Sequence, residues 1–328
     1  MTEVWKSRKV LVAGGAGLIG SYLVEHLLRD GASVRVADNL DSGTLDNLGD
    51  NAKSVDFVQV DLRDPAGCSK ATEGMDTAFD LAARTVGIGY SSTHHGEMLY
   101  DSLAISLNLM ESARRAGVQR YLVTSSSCVY PDVSPIPTPE SAAEVNNPEG
   151  PNAGYGWAKR MAEFQGMYYA KEYGMDVSIV RLVNAYGPRY HWSHGEPHVI
   201  PALIRRLLKR EDPLLIWGSG RQTRSFIHAY DIAMLMKLIV ERNPGPKPVN
   251  IGQPEDTAIV DLVSHLTSIA GYNGNVFYDH SKPEGPARKC LDLSLQSKLL
   301  PDFRPSISLR EGLEQTYEAG KAFFSAGS

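Results

Sequence analysis

The sequence predicts a doubly wound α/β fold with a smaller C-terminal α/β unit, and three observations carry that expectation. Short β-branched runs alternate with longer helical stretches from Lys9 to about Asn184. The first strand ends in a glycine loop that opens a helix, and the second ends in an acid. Beyond Asn184 the rhythm breaks, starting with the Pro-, Gly- and His-containing loop YGPRYHWSHGEPH (186–198). Strand–helix alternation of this kind requires right-handed crossovers, hence a parallel sheet covered on both faces.

Taken in order, VLVAG (10–14) and VRVAD (34–38) read as strands buried on both sides, with the helical stretch Ser21–Arg29 between them. Further strands are expected at VDFVQV (55–60), TAFDLA (77–82), YLVTSS (121–126) and VSIVRL (177–182). Helices over Gly96–Ala116 and Tyr155–Tyr173 separate the last three. The later half offers an apolar helix, Val199–Lys209, the loop WGSGRQTRSF (217–226) and a helix from Asp231 to about Arg242. PGPKP (244–248), short elements, PEGPAR (283–288) and a helix near Leu309–Phe324 follow. The expected division is a Rossmann-type dinucleotide unit over 1–184, with 227–250 returning to it. Residues 185–226 and 251–328 would form a substrate unit capping the carboxyl ends of the strands.

Composition narrows the classes. The chain has 328 residues, 42% of them hydrophobic and 22% charged, which excludes a disordered or fibrous protein. A formal charge of −5 gives no bulk attraction for nucleic acid or an anionic membrane. Any phosphate must therefore be caught by a few placed groups. Cys68, Cys128 and Cys290 are too scattered for a disulfide framework or a thiolate metal site and read as reduced thiols in the cytoplasm. The charged N-terminus lacks a signal-peptide core, and the charge-free stretch Val10–Val24 carries glycines and falls short of a ~20-residue span.

Gly14, Gly17 and Gly20 form G-x-x-G-x-x-G around Leu18 and Ile19. The backbone must turn sharply there and approach a pyrophosphate with no Cβ in the way. Asp38 closes the second strand, where a carboxylate suits a ribose diol and repels a 2′-phosphate, so the expected cofactor is NAD. Tyr155 and Lys159 sit four residues apart on one helix face. An ammonium in that position is expected to lower the phenol's pKa from its ordinary ~10 toward a usable acid/base. TSSSCVYP (124–131) supplies hydroxyls beside them.

On these residues the chain resembles the extended short-chain dehydrogenase/reductase family of nucleotide-sugar enzymes. The resemblance runs from Lys9 to roughly Gly320 through GGAGLIG, DNLDSGTLDNL, DLRD, LAA (81–83), SSSCVY, YGWAK, NAYGPR, GSGRQTRSFIHAYDIA and VNIG. It implies a catalytic set of Ser126, Tyr155 and Lys159. It also implies cofactor contacts from Asn39, Asp61, Leu62, Leu81, Ala82, Ala83 and Ser125. Ser102 stands where the family usually has an asparagine supporting the lysine. Arg224 and Arg288 match arginines that clamp the substrate diphosphate, and Asn184 one that touches the substrate nearby. The helices Gly96–Ala116 and Tyr155–Tyr173 imply a homodimer.

Family members oxidise the sugar, usually at C4, and then diverge. Dehydratases usually carry an acid after the catalytic hydroxyl, whereas this chain has Ser127 and Cys128 before Val129-Tyr130, which disfavours dehydration. SSSCVYP is similar to the S-S-A-C-I-Y-P of the GDP-mannose 3,5-epimerase branch, whose cysteine is one of an acid/base pair. Gly87 and Gly89 match that branch's substrate-loop glycines. Its partner lysine falls at His198 here, so His198 is the candidate second proton carrier. Cys128 can alternatively be a small buried hydrophobe. The expected function is an NAD-dependent nucleotide-sugar epimerase working through a transient 4-keto sugar. The alternatives are a UDP-hexose 4-epimerase, a C4 oxidase or dehydratase, and a non-catalytic NAD-binding protein. His191, His194 and His198 share one loop, but prolines and glycines there argue against a metal site.

Overall fold

The computed structural model describes residues 4–193, 198–282 and 285–326. The first half builds β1 (Lys9–Ala13), α1 (Gly20–Arg29), β2 (Ser33–Asp38), β3 (Asp56–Gln59), α2 (Pro65–Thr72) and β4 (Thr77–Asp80). A short helix α3 (Ile88–Ser91) leads to α4 (His95–Arg115), β5 (Arg120–Ser126), α5 (Ala153–Tyr173) and β6 (Asp176–Leu182). There follow β7 (Asn184–Tyr186), α6 (Val199–Leu208), β8 (Leu214–Trp217), β9 (Thr223–His228) and α7 (Ala229–Arg242). The chain closes with β10 (Pro248–Ile251), β11 (Asp256–Ala258), α8 (Ile259–Ala270), β12 (Val276–Asp279), β13 (Arg288–Lys289), α9 (Ser294–Leu299) and α10 (Leu309–Ala326).

Among the described residues the main sheet has seven strands in the order β10-β6-β5-β4-β1-β2-β3, every neighbouring pair parallel. The predicted doubly wound α/β fold is the one found. Side-chain alternation splits β1 between the two faces. Val10 and Val12 join the core under α1 and α7, while Leu11 and Ala13 join the one under α2, α4 and α5. A third core, built on Tyr186, Trp192, α6, α8 and α10, belongs to the later half. There β7, β9, β11 and β13 form a second sheet, and β8 pairs with β12.

Besides the short α3 and α9, two longer helices go beyond the sequence expectation. In α2 the Asp64 carboxylate accepts from Ala66 N and Pro65 opens the first turn, so capping rather than amphipathic pattern marks it. The other is α8, a strongly apolar segment ended by Gly271 in the left-handed region. Asn184–Tyr186, expected to start a loop, is instead a short strand beside β9. His194, within the proposed histidine loop, and the first two residues of PEGPAR lie outside the described residues.

Candidate active site

The chain runs from β1 to β2 and β3 on one side, then crosses to β4 on the other. The crevice between β1 and β4 is therefore the switch point where such sheets bind ligands. Gly14 sits there with φ +74°, and a Cβ on it would stand 3.0 Å from Leu81 and Ala82 backbone atoms. Gly20 opens α1 so close beneath the loop that its Cβ would lie 2.2 Å from the Gly14 carbonyl oxygen. Only glycine permits that approach. The first turn of α1 has no side-chain cap and no acidic residue; Ser21 N and Leu23 N donate to the Gly17 and Ile19 carbonyls, and the positive end of the helix dipole lies at the glycine loop. This cradle fits a dinucleotide pyrophosphate.

Asp38, 7% exposed, ends β2 beside the same loop. Its Oδ2 accepts from Ala16 N at 3.0 Å and its Oδ1 from Leu40 N at 2.9 Å, so the carboxylate also shapes the loop. Asn39 is exposed next to it. Asp61 is half-exposed and pairs with Arg63 at 2.6 Å, which lowers its pKa, while Leu62 is buried. Leu81, Ala82 and Ala83 follow β4 and remain partly accessible.

At the end of β5, Ser126 Oγ accepts from Cys128 N at 3.2 Å and closes a short turn, Ser127–Val129. Arg160 grips this turn through the Val129 carbonyl at 2.9 and 2.6 Å. Helix α5 lies against it because Gly156 has no side chain; a Cβ there would meet the Cys128 carbonyl oxygen and Pro148 Cβ, each at 2.6 Å. Tyr155 and Cys128 are thereby brought together. Ser125, expected at the cofactor, is 1% exposed, and its hydroxyl donates instead to Glu163, which also pairs with Arg181 at 2.6 Å. Strand alternation turns Ser125 inward where Ser126 faces the crevice.

The electrostatics differ from the expectation at Tyr155. Burial raises the phenol's pKa, with the neighbouring Cys128 and Asp80 adding to the rise. The Lys159 ammonium stands 5.6 Å from the Tyr155 ring centre and is 1% exposed. Its own pKa is lowered by burial against the pull of Asp80 and Glu163. Asp80 is itself pushed up to about 6 by burial, opposed by Lys159. Ser102 is buried in α4 and its hydroxyl has no partner among the described residues.

The substrate side draws on the second sheet. Arg224 in β9 donates to the Thr223 and Pro286 carbonyls at 2.7 and 2.9 Å. Asn184 is exposed at the start of β7, its amide donating to Ser225 O at 3.1 Å. Gly87 is the N-cap of α3 and Gly89 lies within it. Arg288 does not join this group: its fork closes on Asp256 at 2.7 and 3.1 Å. The next residue, Lys289, forms an ion pair with Glu149 at 2.5 Å, and both act electrostatically on Cys128. Neither Lys289, Glu149 nor Asp80 was singled out in the sequence. Strand alternation next to Arg288 was the available signal for the lysine.

Glu149 also alters the argument about carboxylates, because an acid does reach the turn, from a distant segment. Burial would raise its pKa, but Lys289 and the Asn152 amide hold it below the usual range, so it is ionised and no proton donor at neutral pH. His198 precedes α6 with an exposed side chain. Among the described residues no cluster of three or more His, Cys, Asp or Glu could hold a metal. Nor is any described helix long and apolar enough to cross a membrane.

A family model described as the NAD dependent epimerase/dehydratase family matches residues 10–252. The chain belongs to this family. It is 32% identical over 327 residues to a putative GDP-L-fucose synthase 2 of Oryza sativa subsp. japonica, covering 95% of this chain and 86% of that one. With the GDP-mannose 3,5-epimerase of Arabidopsis thaliana it shares 30% over 319 residues, 96% of this chain and 83% of the relative. A solved UDP-glucose 4-epimerase with UDP-glucose from Thermotoga maritima superposes with a TM-score of 0.85 at 28% identity, over 96% of this chain and 99% of that one. The resemblance to extended short-chain dehydrogenase/reductase enzymes of nucleotide sugars is thus real across almost the whole chain.

Proposed function

We propose that the protein is an NAD-dependent nucleotide-sugar epimerase that forms a transient 4-keto sugar and exchanges a carbon-bound proton at C3 or C5. The observation that carries this reading is the placement of Cys128 against Tyr155 at the mouth of the sheet. A simple 4-epimerase needs only Ser126, Tyr155 and Lys159. A thiol beside them supplies a group able to take a proton from the carbon next to a ketone. The names of the relatives in Oryza and Arabidopsis share a GDP-sugar, and that is the substrate class we assign.

In this reading Gly14, Gly17, Leu18, Ile19 and Gly20 hold the pyrophosphate, Asp38 and Asn39 the ribose, and Asp61 and Leu62 the adenine. Leu81, Ala82, Ala83, Tyr155 and Lys159 line the rest of the cofactor's path. NAD, when bound, accepts the C4 hydride. Tyr155, hydrogen-bonded with Ser126 to the C4 hydroxyl, takes the proton. Arg224 and Asn184 orient the diphosphate side, Gly87 and Gly89 give the sugar close access to the backbone, and His198 is the second proton carrier. We further assign 1–184 with 227–250 to the dinucleotide unit and the remainder to the substrate unit. The three unpaired cysteines suit a reducing, cytoplasmic setting.

Incubating a panel of GDP- and UDP-sugars with the enzyme and NAD in D₂O tests the reading. Deuterium at C3 or C5 of the recovered sugar is expected, and Cys128→Ala should abolish it while leaving NAD reduction detectable. Epimer formation without solvent label would instead establish a 4-epimerase.

A further inference from the structure

Cys128 is flanked by a charge pair whose members come from opposite sides of the molecule. The loop returning to α5 brings Glu149 alongside: its N–H donates to the Tyr130 carbonyl at 2.8 Å, and the preceding Pro148 packs with the Cys128 carbonyl against Gly156. Lys289 arrives on β13, which pairs with β9 in the second sheet. Just beyond it, Thr138 N donates to Cys290 O and Asp292 N to Thr138 O, each at 2.9 Å, tying this segment to the β5 side. The tether leaves the Lys289 ammonium 2.5 Å from Glu149 Oε2, while Asn152 donates to Oε1 at 2.6 Å.

We infer that Lys289 is the cation that stabilises the Cys128 thiolate, with Glu149 opposing it, so that thiol, ammonium and carboxylate handle a proton as one unit. The inference rests on the reading of Cys128 as a proton-transfer group, but its electrostatic content holds for the protein without substrate. Lys289 and Glu149 are the charged groups that act on the thiol; the thiol in turn acts on the Tyr155 phenol, and Arg224 on the lysine. Burial pushes the thiol up to about 12; Lys289 pulls it down and Glu149 pushes it up. In the exchange step the thiolate takes the proton from the carbon beside the ketone. An S–H bond forms as the C–H bond breaks, and the electron pair moves into the enolate. The thiol then passes its proton to water, and inversion follows when the enolate is reprotonated from the opposite face, the role given above to His198.

The test is the rate of iodoacetamide alkylation of Cys128 in the full chain from pH 7 to 10.5, without nucleotide sugar, located by peptide mass spectrometry. Cys68 and Cys290 are buried and report unfolding. Lys289→Met should shift the profile to higher pH. One unit of rise cuts the thiolate fraction about tenfold while its nucleophilicity grows about threefold, so the rate at a fixed pH should fall about threefold or more. Lys289→Arg keeps the charge and should track the parent, and Glu149→Gln should shift the profile the opposite way. Coincidence of Lys289→Met with the parent would overturn the inference, as would Lys289→Met and Glu149→Gln moving in the same direction, the mark of disturbed packing. If the parent turns over no nucleotide sugar, the proposed reaction fails while the alkylation result still decides this one.

Discussion

Charging His228 should cost the fold a measurable part of its stability. This side chain is 1% exposed and caps α7, its Nδ1 accepting from Tyr230 N at 3.2 Å. Nε2 therefore carries the proton of the neutral ring, and among the described residues it has no partner. The rings of Tyr22 and Tyr186 stand edge-on, each with its centre 5.6 Å away, and a Cβ on Gly187 would stand 3.1 Å from Nε2 and 3.5 Å from Leu18 Cδ1 of the glycine loop. Burial lowers the pKa to about 4, with Asp231 opposing and Arg189 assisting. The unfolded chain, with an ordinary His value near 6.5, takes the proton first as pH falls. The contribution is thus present above about pH 6.5 and is lost as pH drops toward 4. Between pH 7 and 5 the loss works out to about 2 kcal/mol. His228→Asn keeps an oxygen to cap Tyr230 N and removes the titration. Urea unfolding of parent and variant at both pH values isolates the effect from other groups, such as Asp80, whose raised pKa acts with the opposite sign. The parent should lose about 2 kcal/mol more than the variant. Equal losses would refute the reasoning.

Four further outcomes are expected. Gly20→Ala, whose methyl would stand 2.2 Å from a backbone oxygen, should weaken NAD binding beyond detection in a fluorescence titration; binding within about threefold of the parent would contradict the cradle. Glu163→Gln strips the anion from Arg181, both side chains being 4% exposed, and should cost about 3 kcal/mol in denaturant unfolding. Tyr155→Phe should fold normally yet show no NAD reduction by any nucleotide sugar, read at 340 nm. The exposed Tyr100, Leu107, Phe164 and Tyr168 lie on α4 and α5, the faces proposed to pair in a homodimer, so Phe164→Glu with Tyr168→Glu should convert a dimer to a monomer in sedimentation.

The sheet was readable because its strands are continuous apolar runs and its glycine loop lies between a strand and a helix in local sequence. Tyr155 and Lys159 were readable for the same reason: four residues on one helix fix their common face. What the sequence hid depends on long-range placement. Glu149 and Lys289 are 140 positions apart and meet only because β13 is tethered at Thr138. The direction of the Tyr155 shift was hidden because helix spacing says nothing of burial, which raises the phenol, or of Cys128 and Asp80, which add to the rise from the turn after β5 and from β4. Arg224 and Arg288 were read together as the clamp because guanidinium groups suit a diphosphate; that the Arg288 fork pairs with Asp256, 32 positions earlier, is nothing the local sequence announces.

The two sheets divide the chemistry between them. The groups assigned to hydride transfer in the proposed reaction (the glycine cradle, Ser126, Tyr155 and Lys159) hang from the carboxyl ends of the main sheet or from helices packed on it. The cations proposed for the substrate side and the thiol, Arg224 and Lys289, come from the smaller sheet and sit in register, Lys289 opposite Arg224. Cys128 lies where the two meet, its turn gripped by Arg160 from α5 and its thiol within reach of a lysine from β13. A proton-transfer step built across this seam depends on how the two units are held together, whereas hydride transfer does not. Loosening the seam at Thr138, for example with Thr138→Pro, removes the amide that donates to Cys290. Solvent-deuterium uptake should then fall further than NAD reduction by the same substrate. If both fall in equal proportion, the two steps share one rigid scaffold and the division is wrong.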